Sequence, residues 1–429
     1  MNIFRNPERN DWPGLLKRPG LNFPELEGKV QLMIDEVAAH GDEAVRKYSL
    51  EFDGYDGAHL EVSDAEIRAA SAQVSPDLKA AVDLAVRNIR TFHVKQLHPL
   101  QTVSTAAGVR CWQKAVPLDR VGLYIPGGSA PLLSTVLMLG VPAKIAGCRE
   151  VILTSPPDKN GRLNPSILYI AGLLGVDRVF RVGGVQAIAA LAYGTERIPA
   201  VDKIFGPGNQ YVTMAKQIVS RDKVAIDMPA GPSELAVVAD RSANPAFVAS
   251  DLLSQAEHGP DSQVLLLTDS GDLIQRVEKE ILKQLEGLPR KEIAARALEN
   301  SKMILLKDQE EIMSMVNAYA PEHLIIMTGN YAELAEKVVN AGSVFLGQYT
   351  PESAGDYASG TNHTLPTNGW AHAYSGVNMD HFFKKITFQE ISRDGLIGIG
   401  DAIRTLAEAE QLQAHSNAVS IRVSTRNNG

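Results

Sequence analysis

A potential metal site lies where a predicted helix stops. Gln255 and His258 stand three residues apart in the segment Ser254-Gln-Ala-Glu-His-Gly-Pro260. Asn244-Pro245 is suited to begin a helix and Gly259-Pro260 to end it, so the two side chains are expected on one face of the last turn. Because the negative end of the helix dipole favours a cation there, the segment predicts part of a metal site, which needs further ligands from elsewhere.

Oxygen and nitrogen ligands are available further along the chain. Asp356 and His363 lie in the segment 349–363, which is rich in small and polar residues and is predicted to be a long loop. Asp356 offers a hard oxygen ligand, while His363 suits either a metal ligand or a substrate donor. With Gln255 and His258 they make a ligand set without thiolates, compatible with Zn²⁺ and, less selectively, with Mn²⁺ or Co²⁺.

Two more candidates, Glu410 and His415, lie near the C-terminus, around a helix predicted over 399–414. They are five residues apart, which is about 140° around a helix. The two side chains therefore do not share a helical face. Either the two side chains contact different parts of a site, or His415 lies past the end of the helix.

The dipeptide Glu322-His323 precedes the predicted strand Leu324–Met327. A charged pair in front of an apolar strand is often a solvated turn. The functional alternative is an acid–base centre, in which the carboxylate activates water and the imidazole titrates near neutral pH. Stepwise oxidation of an alcohol needs both of these groups.

The composition of the chain limits the class of protein to which it can belong. The chain has 429 residues, 45% of them hydrophobic, and a net charge of −8. This size predicts two or more domains, and the negative charge argues against nucleic-acid binding. We expect no membrane span and no signal peptide. The two cysteines, Cys111 and Cys148, cannot form a disulfide framework, so a cytoplasmic location is expected.

Short apolar runs alternate with amphipathic stretches over most of the chain, which predicts βαβ units and parallel sheets. We predict an N-terminal arm over 1–24, an α/β domain over 25–123 and 235–377 with the metal and acid–base residues, and an inserted α/β domain over 124–234. The C-terminal tail, 378–429, is too small for a core of its own and must pack on the main body or on another subunit. The predicted strands are Val121–Ile125, Val151–Thr154, Val179–Val182, Lys203–Phe205, Val224–Ile226, Ala236–Val238, Val264–Leu267, Met303–Leu306, Leu324–Met327 and Ser343–Phe345.

Three glycine-containing turns follow predicted strands of the inserted domain. Any one of them could be an ordinary strand-to-helix turn, and none matches G-x-G-x-x-G or the Walker A motif. Three such turns at the carboxyl ends of one parallel sheet are, however, typical of a crevice that binds a nucleotide. The turns are Tyr124-Ile-Pro-Gly-Gly-Ser-Ala-Pro131, Arg181-Val-Gly-Gly-Val-Gln-Ala187 and Phe205-Gly-Pro-Gly-Asn209.

Over nearly its whole length the sequence resembles the L-histidinol dehydrogenase family. The resemblance rests on blocks that occur in the order of that family's motifs. The blocks are Val121-Gly-Leu-Tyr-Ile-Pro-Gly-Gly-Ser-Ala-Pro131, Arg181-Val-Gly-Gly-Val-Gln186, Gly206-Pro-Gly-Asn209, Ala230-Gly-Pro-Ser-Glu234, Ser254-Gln-Ala-Glu-His258, Pro321-Glu-His-Leu324 and Gly355-Asp-Tyr-Ala-Ser-Gly-Thr-Asn-His363.

The resemblance implies an NAD-dependent oxidoreductase of histidine biosynthesis. It would oxidise L-histidinol through L-histidinaldehyde to L-histidine, a four-electron reaction, with one Zn²⁺ per subunit and two NAD⁺ consumed per turnover. The implied fold is α/β, with two Rossmann-like parallel-sheet domains, one interrupted by the other, a small N-terminal arm and a helical C-terminal tail. The implied assembly is a homodimer with shared active sites, in which the tail packs on the partner subunit.

The resemblance also implies a role for each candidate residue. The implied metal ligands are Gln255, His258, Asp356 and His415. The implied catalytic acid–base pair is Glu322 and His323. The implied substrate-binding residues are Ser233, Gln255, His258, His323, Asp356, His363, Glu410 and His415. The implied NAD-binding residues are Tyr124, Gln186 and Asn209.

Three other interpretations compete with this one. A cysteine nucleophile at Cys148 or Cys111 could form a thiohemiacetal with an aldehyde, although free cysteines are usually packing residues. A zinc hydrolase could use Glu322 as its base, but the three glycine turns would then have no purpose. A structural zinc between subunits is the non-enzymatic alternative, and four protein ligands would suit such a closed site.

Overall fold

The computed structural model describes residues 1–19, 23–57, 59–97, 99, 101–127, 132–229 and 231–425. The residues from Gly128 to Pro131 in the first glycine turn, and Ala230 in the fourth block, lie outside the described residues. The chain forms two compact units. Unit 1 contains Met1–Gln96 and Asp119–His381, and unit 2 contains Leu97–Leu118 and Phe382–Gly429.

Strands and helices alternate through unit 1, and both units contain both kinds of element. The strands are β1 (Asn2–Arg5), β2 (Val103–Ala106), β3 (Val109–Pro117), β4 (Arg120–Tyr124), β5 (Glu150–Ser155), β6 (Arg178–Arg181), β7 (Lys203–Phe205), β8 (Ala225–Ile226), β9 (Glu234–Ala239), β10 (Gln263–Thr268), β11 (Lys302–Leu305), β12 (His323–Met327), β13 (Ser343–Leu346) and β14 (Phe383–Ile391).

The helices range from single turns to a long segment near the N-terminus, in which two helices are joined across a kink at Gly41. They are α1 (Trp12–Leu15), α2 (Phe23–Asp53), α3 (Asp64–Ala70), α4 (Pro76–Val94), α5 (Leu133–Ala146), α6 (Pro165–Leu174), α7 (Gly184–Tyr193), α8 (Gln210–Val219), α9 (Pro245–Ala256), α10 (Gly271–Leu285), α11 (Lys291–Glu299), α12 (Gln309–Tyr319), α13 (Tyr331–Ala335), α14 (Glu352–Tyr357), α15 (Arg393–Ala409) and α16 (Gln413–Ser424). Short 3₁₀ turns occur at Arg9–Asp11, Ser71–Gln73, Trp370–His372 and Met379–Phe382.

Unit 1 contains two parallel sheets, which confirms the predicted α/β class. One has the strand order β6-β5-β4-β7-β8 and the other the order β1-β11-β10-β9-β12-β13, and every pairing within them is parallel. All ten predicted strands form. The central strands β9, β10 and β12 are buried at every position, because helices cover both faces of a parallel sheet.

The first strand of the larger sheet was not predicted. Asn2–Arg5 pairs in parallel with Lys302–Leu305 at the sheet edge, although these residues fall in the predicted arm. The segment is short, has a charged end and exposes most of its side chains. It therefore carries little of the apolar pattern by which a strand is recognised in sequence.

Unit 2 is an antiparallel sheet followed by two packed helices. Its strand order is β14-β3-β2, with Phe383 to Ile391 paired to Pro117 through Val109. Few of its side chains are buried, and many large apolar ones are exposed. The exposed apolar residues of unit 2 are Leu97, Val103, Ile386, Phe388, Ile391, Ile397, Leu406, Leu412 and Ile421.

The helix predicted over 399–414 differs in the structure. It begins at Arg393 and ends at Ala409, and a second helix runs from Gln413 to Ser424. The break coincides with Gln411, whose φ of 60° is in the left-handed region and does not continue a right-handed helix. Among the described residues, no helix has the length and apolar character needed to cross a membrane.

Candidate active site

Gln255 and His258 stand where the buried helix α9 stops. The side chain of Asn244 accepts a hydrogen bond from the Ala246 amide at 3.0 Å, so the predicted N-cap forms. The helix ends at Ala256, earlier than predicted, and His258 lies in the following turn, with its amide donating to the Gln255 carbonyl at 3.2 Å. Gln255 is fully buried and His258 is exposed, so the two reach the site from a helix and a turn rather than from one helical face.

Asp356 lies on a helix that was predicted to be a loop. Helix α14 begins at Glu352 and ends at Tyr357, which places Glu352 and Asp356 one turn apart on the same face. Both side chains are buried, with 1% and 8% exposure. Glu352 was missed by the sequence analysis. The four-residue spacing of the two acids was the available signal, and the Ser-Ala-Gly between them obscured it because these residues are common in loops.

Three side chains from these elements converge. His258, Glu352 and Asp356 each offer a ligand atom, and these atoms all lie within 4.8 Å of one another. With its amide nitrogen toward Glu352, the fully buried Gln255 donates to both carboxylate oxygens of that residue, to Oε2 at 3.2 Å. The structure therefore brings Gln255, His258 and Asp356 to one place, with Glu352 between them.

Glu322 and His323 border this cluster at the start of the central strand β12. Glu322 Oε2 accepts a hydrogen bond from the Glu234 amide at 2.8 Å. His323 Nδ1 lies 3.6 Å from Glu322 Oε2 and 3.9 Å from Glu352 Oε1, while His323 Nε2 lies 3.6 Å from Asp356 Oδ1. Both residues are buried, and within the described ranges neither ring nitrogen makes a hydrogen bond. The pair is therefore not a solvated turn.

The buried acids and histidines of this pocket strongly affect one another's pKa values. Burial acts to lower the pKa of His323, but the carboxylates of Glu352, Glu322 and Asp356 outweigh it and raise the pKa well above its usual value. Burial raises the pKa of Glu352 well above its usual value, despite the opposing charge of His323. Burial also acts to raise the pKa of Asp356, yet His323 and His363 hold it below the usual value. The pocket thus favours one or more positive charges among its acids.

His363 packs beside Asp356 and reaches the helix that follows the first glycine turn. Its Nδ1 lies 3.1 Å from the Asp356 carbonyl oxygen and 3.9 Å from Asp356 Oδ1, and its Nε2 lies 3.4 Å from Thr135 Oγ1. Burial lowers the pKa of His363. Both ring nitrogens thus already have neighbours in the protein, which suits a residue that helps to shape the site.

A cavity of about 630 Å³ opens beside these residues, and its lining includes Ser233, His258, Pro126 and Asn209. Ser233 precedes strand β9 and is half-buried. Next to it, Glu234 forms an ion pair with Arg18, whose Nε lies 2.5 Å from Glu234 Oε1. A small molecule in this cavity would contact Ser233 and the exposed imidazole of His258.

The glycine turns border a second cavity, of about 810 Å³, whose lining includes Tyr124, Gln186 and Asn209. The Tyr124 hydroxyl accepts a hydrogen bond from the Gly184 amide at 3.3 Å. Asn209 caps helix α8 by accepting hydrogen bonds from the amides of Tyr211 and Val212. The cavity therefore lies at the carboxyl ends of β4, β6 and β7, where parallel sheets bind nucleotides.

Glu410 and His415 belong to unit 2. Glu410 follows the last residue of α15, and His415 lies in the first turn of α16, so His415 does lie past the end of the first helix. Both are exposed within the chain.

The two cysteines are both free thiols, Cys148 buried and Cys111 partly exposed. Burial raises the pKa of the Cys148 thiol to about 11, which disfavours the thiolate. Cys111 lies on strand β3 of unit 2. The interpretation based on a cysteine nucleophile therefore finds no support in the described residues.

Comparison with known proteins gives consistent results. A family model described as Histidinol dehydrogenase matches residues 16–423. Histidinol dehydrogenase from Bacteroides thetaiotaomicron is 60% identical over 425 residues, 99% of each chain, and that from Escherichia coli K12 is 55% identical over 412 residues, 95% of this chain and 94% of the relative. The crystal structure of histidinol dehydrogenase from Elizabethkingia anophelis matches with a TM-score of 0.96 and 50% identity, and covers 99% of this chain and 98% of that one.

Proposed function

This chain belongs to the histidinol dehydrogenase family, NAD-dependent oxidoreductases that oxidise histidinol in histidine biosynthesis, and we propose that it carries L-histidinol through L-histidinaldehyde to L-histidine. The reaction removes four electrons and consumes two NAD⁺. The observation that carries the proposal is the convergence of Gln255, His258 and Asp356 beside the buried pair Glu322 and His323.

We propose one Zn²⁺ per subunit, held by Gln255, His258, Asp356 and His415. The donor set fits, because oxygen and imidazole ligands without thiolates suit this ion, and His258 and Asp356 offer ligand atoms within 4.8 Å of each other. The excess of buried carboxylates over cations in the pocket also favours a cation. Bound there, Zn²⁺ would hold the imidazole and amine of histidinol rather than ionise a water.

His323 is proposed to take the proton of the substrate hydroxyl at Nε2. That nitrogen faces Asp356 at 3.6 Å, on the side of the metal ligands, while Nδ1 faces Glu322 and Glu352. The two acids would keep a proton on Nδ1 and leave Nε2 as the base. The surrounding acids raise the pKa of His323, which favours retention of the proton that its ring accepts.

Glu322 is proposed to activate the water that attacks the aldehyde in the second half-reaction. Its Oε2 is held by the Glu234 amide and faces His323, which leaves Oε1 available for the water. A fixed carboxylate next to an imidazole is a suitable general base for this step. His323 and Glu322 thus divide the proton transfers between the oxidation of the alcohol and that of the hydrated aldehyde.

NAD⁺, which accepts the hydride, is proposed to bind in the cavity at the glycine turns, in contact with Tyr124, Gln186 and Asn209. Gln186 supports this assignment most directly. Its side chain is fully buried, and neither amide atom has a hydrogen-bond partner within the described ranges. Because unpaired buried amides cost free energy, Gln186 is suited to hydrogen-bond a ligand in the cavity.

The substrate is proposed to contact Ser233, His363 and Glu410 in addition to the metal ligands and His323. Glu410 and His415 would come from the partner subunit of a homodimer. The exposed apolar side chains of unit 2 support this assembly, because an apolar surface of this kind usually marks a protein interface. Boundaries at residues 24, 124, 234 and 378, and a cytoplasmic location, remain predictions.

The decisive experiment measures metal content, NADH formation and histidinol consumption together. We expect about one zinc per chain, two NADH formed per histidinol consumed, and loss of turnover on chelation while the circular dichroism spectrum and the dimer persist. One NADH per histidinol, or full activity without metal, would contradict the proposal. Dissociation or unfolding on chelation would instead favour a structural zinc.

A further inference from the structure

Asp53 lies on the wall of the cavity that also contains Tyr124, Gln186 and Asn209. It is the last residue of α2, which forms one side of this cavity with Lys29, Leu32, Met33, Tyr48, Glu51 and Phe52, while the glycine turns form the other. It also lines a neighbouring cavity of about 880 Å³. Asp53 therefore stands where the two cavities meet.

One oxygen of the Asp53 carboxylate lacks a hydrogen-bond donor within the described ranges. This atom, Oδ2, is buried, and burial raises the pKa of the group to about 6. The charge of Asp53 also contributes to the raised pKa of the nearby Tyr124 hydroxyl, which is about 12 mainly because of burial. A buried acceptor without a donor is unfavourable, so Asp53 is suited to a ligand that brings hydroxyl or amide hydrogens.

A second unpaired side chain faces the same space. Gln186 lines the cavity and is fully buried with both amide atoms unpartnered in the described chain. The two residues come from different elements, α2 and α7, and do not pair with each other. Two unsatisfied polar groups around one cavity point to a polar ligand that satisfies both.

The order of residues along the crevice indicates which part of a dinucleotide meets Asp53. The cavity beside Ser233 and His258 shares Pro126 and Asn209 with the cofactor cavity, but Asp53 does not line it. A nicotinamide next to the substrate therefore lies on the Asn209 side. The adenosine end of the same molecule then extends toward Asp53.

We propose that Asp53 accepts hydrogen bonds from the hydroxyls of the adenosine ribose of NAD⁺ and thereby excludes the 2′-phosphorylated cofactor. A carboxylate suits a vicinal diol because both hydroxyls can donate to its two oxygens, and it repels a phosphate at the 2′ position. This inference rests on the proposed function, since it requires NAD⁺ in this crevice. It adds a residue that determines cofactor specificity.

The test titrates NAD⁺, NADP⁺ and 2′-deoxy-NAD⁺ into the zinc-loaded dimer by isothermal calorimetry. For the natural enzyme we expect both analogues to bind about ten- to a hundred-fold more weakly than NAD⁺, because hydrogen bonds to a charged group are lost. In Asp53→Asn and Asp53→Ser, the affinity for NAD⁺ should fall by a similar factor. The affinity for NADP⁺ should equal or exceed that of the natural enzyme. The KM for histidinol should stay unchanged.

A matched control is Glu43→Gln, which removes an exposed acid from the same helix and should leave all three affinities unchanged. If 2′-deoxy-NAD⁺ binds the natural enzyme as tightly as NAD⁺, or if the Asp53 variants weaken NAD⁺ and NADP⁺ equally, the inference is wrong. Gln186→Leu separates this failure from failure of the proposed cofactor site. If Gln186→Leu weakens NAD⁺ binding but the Asp53 variants do not, only the inference about Asp53 is wrong. If neither substitution affects NAD⁺ binding, NAD⁺ does not bind in this crevice and the proposed cofactor site is wrong.

Discussion

The buried amide of Gln255 donates to the buried carboxylate of Glu352, which lies one helical turn before Asp356. This contact joins the end of α9 to α14 and holds a proposed metal ligand from each helix in place. Glu352 also lies 3.9 Å from His323 Nδ1. It therefore touches both the metal cluster and the acid–base pair.

Replacement of Glu352 by Gln should reduce zinc affinity and kcat by about ten- to a hundred-fold, the usual effect of removing a group that orients metal ligands. Zinc competition with a chelating dye and steady-state kinetics measure the two effects. Glu336→Gln, which changes an exposed acid, is the control and should behave like the natural enzyme. Normal zinc affinity and kcat in Glu352→Gln would show that Glu352 does not organise the site.

His258→Asn should release the metal and abolish turnover, because His258 is the exposed imidazole in the cluster with Glu352 and Asp356. Metal analysis after gel filtration, together with NADH formation, measures both losses. The matched control is His372→Asn, which changes an exposed histidine in a 3₁₀ turn. If the His258→Asn enzyme retains one zinc per chain, His258 is not a zinc ligand.

Glu322→Gln should slow the oxidation of histidinaldehyde by about a hundred-fold or more, the usual contribution of a general base, with a smaller effect on the first oxidation. The amide cannot deprotonate water, although it can still accept the hydrogen bond from the Glu234 amide. Stopped-flow measurement of NADH from each substrate separates the two half-reactions. Equal slowing of both would argue for a positioning role.

Inactive His258 and His415 variants should complement each other in heterodimers if His415 serves the partner's site. A heterodimer would contain one site with both histidines intact, so part of the natural activity should return. Two affinity tags isolate the heterodimers, and NADH formation measures the activity. The absence of recovery in verified heterodimers would place His415 outside the shared site.

Asp251→Asn should stabilise the protein more at pH 8 than at pH 5. Burial raises the pKa of Asp251 to about 7, so the folded state binds more protons than the unfolded state between about pH 4 and 7. The natural protein therefore loses about 3 kcal/mol of stability as pH rises through this range, and the neutral amide avoids that loss. Urea unfolding of the natural protein and of Asp251→Asn at pH 5 and pH 8 measures this difference in stability. Glu278→Gln, which changes an exposed acid, is the control. An equal effect of Asp251→Asn at both pH values would show that the Asp251 carboxyl is not the cause.

Several features follow from the sequence alone. The runs that became β9, β10 and β12 are nearly continuous apolar segments between helical stretches, and such local patterns determine parallel sheets because both faces of each strand must be buried. Asn244 and Gly259-Pro260 likewise bound α9 through contacts only a few residues long. The glycine turns and the motif residues could therefore be assigned to the ends of strands and helices.

The tertiary structure decided which side chains meet. Asp53 carries no local mark of function, and Glu352 only its four-residue spacing from Asp356, since the burial of both comes from helices and strands far away in the chain. The pairing of Phe383–Ile391 with Val109–Pro117 joins segments more than 260 residues apart, and no short-range pattern specifies such a pairing. Local periodicity selects helix or strand, but the contacts that desolvate a carboxylate or unite two donors form only when distant segments pack together.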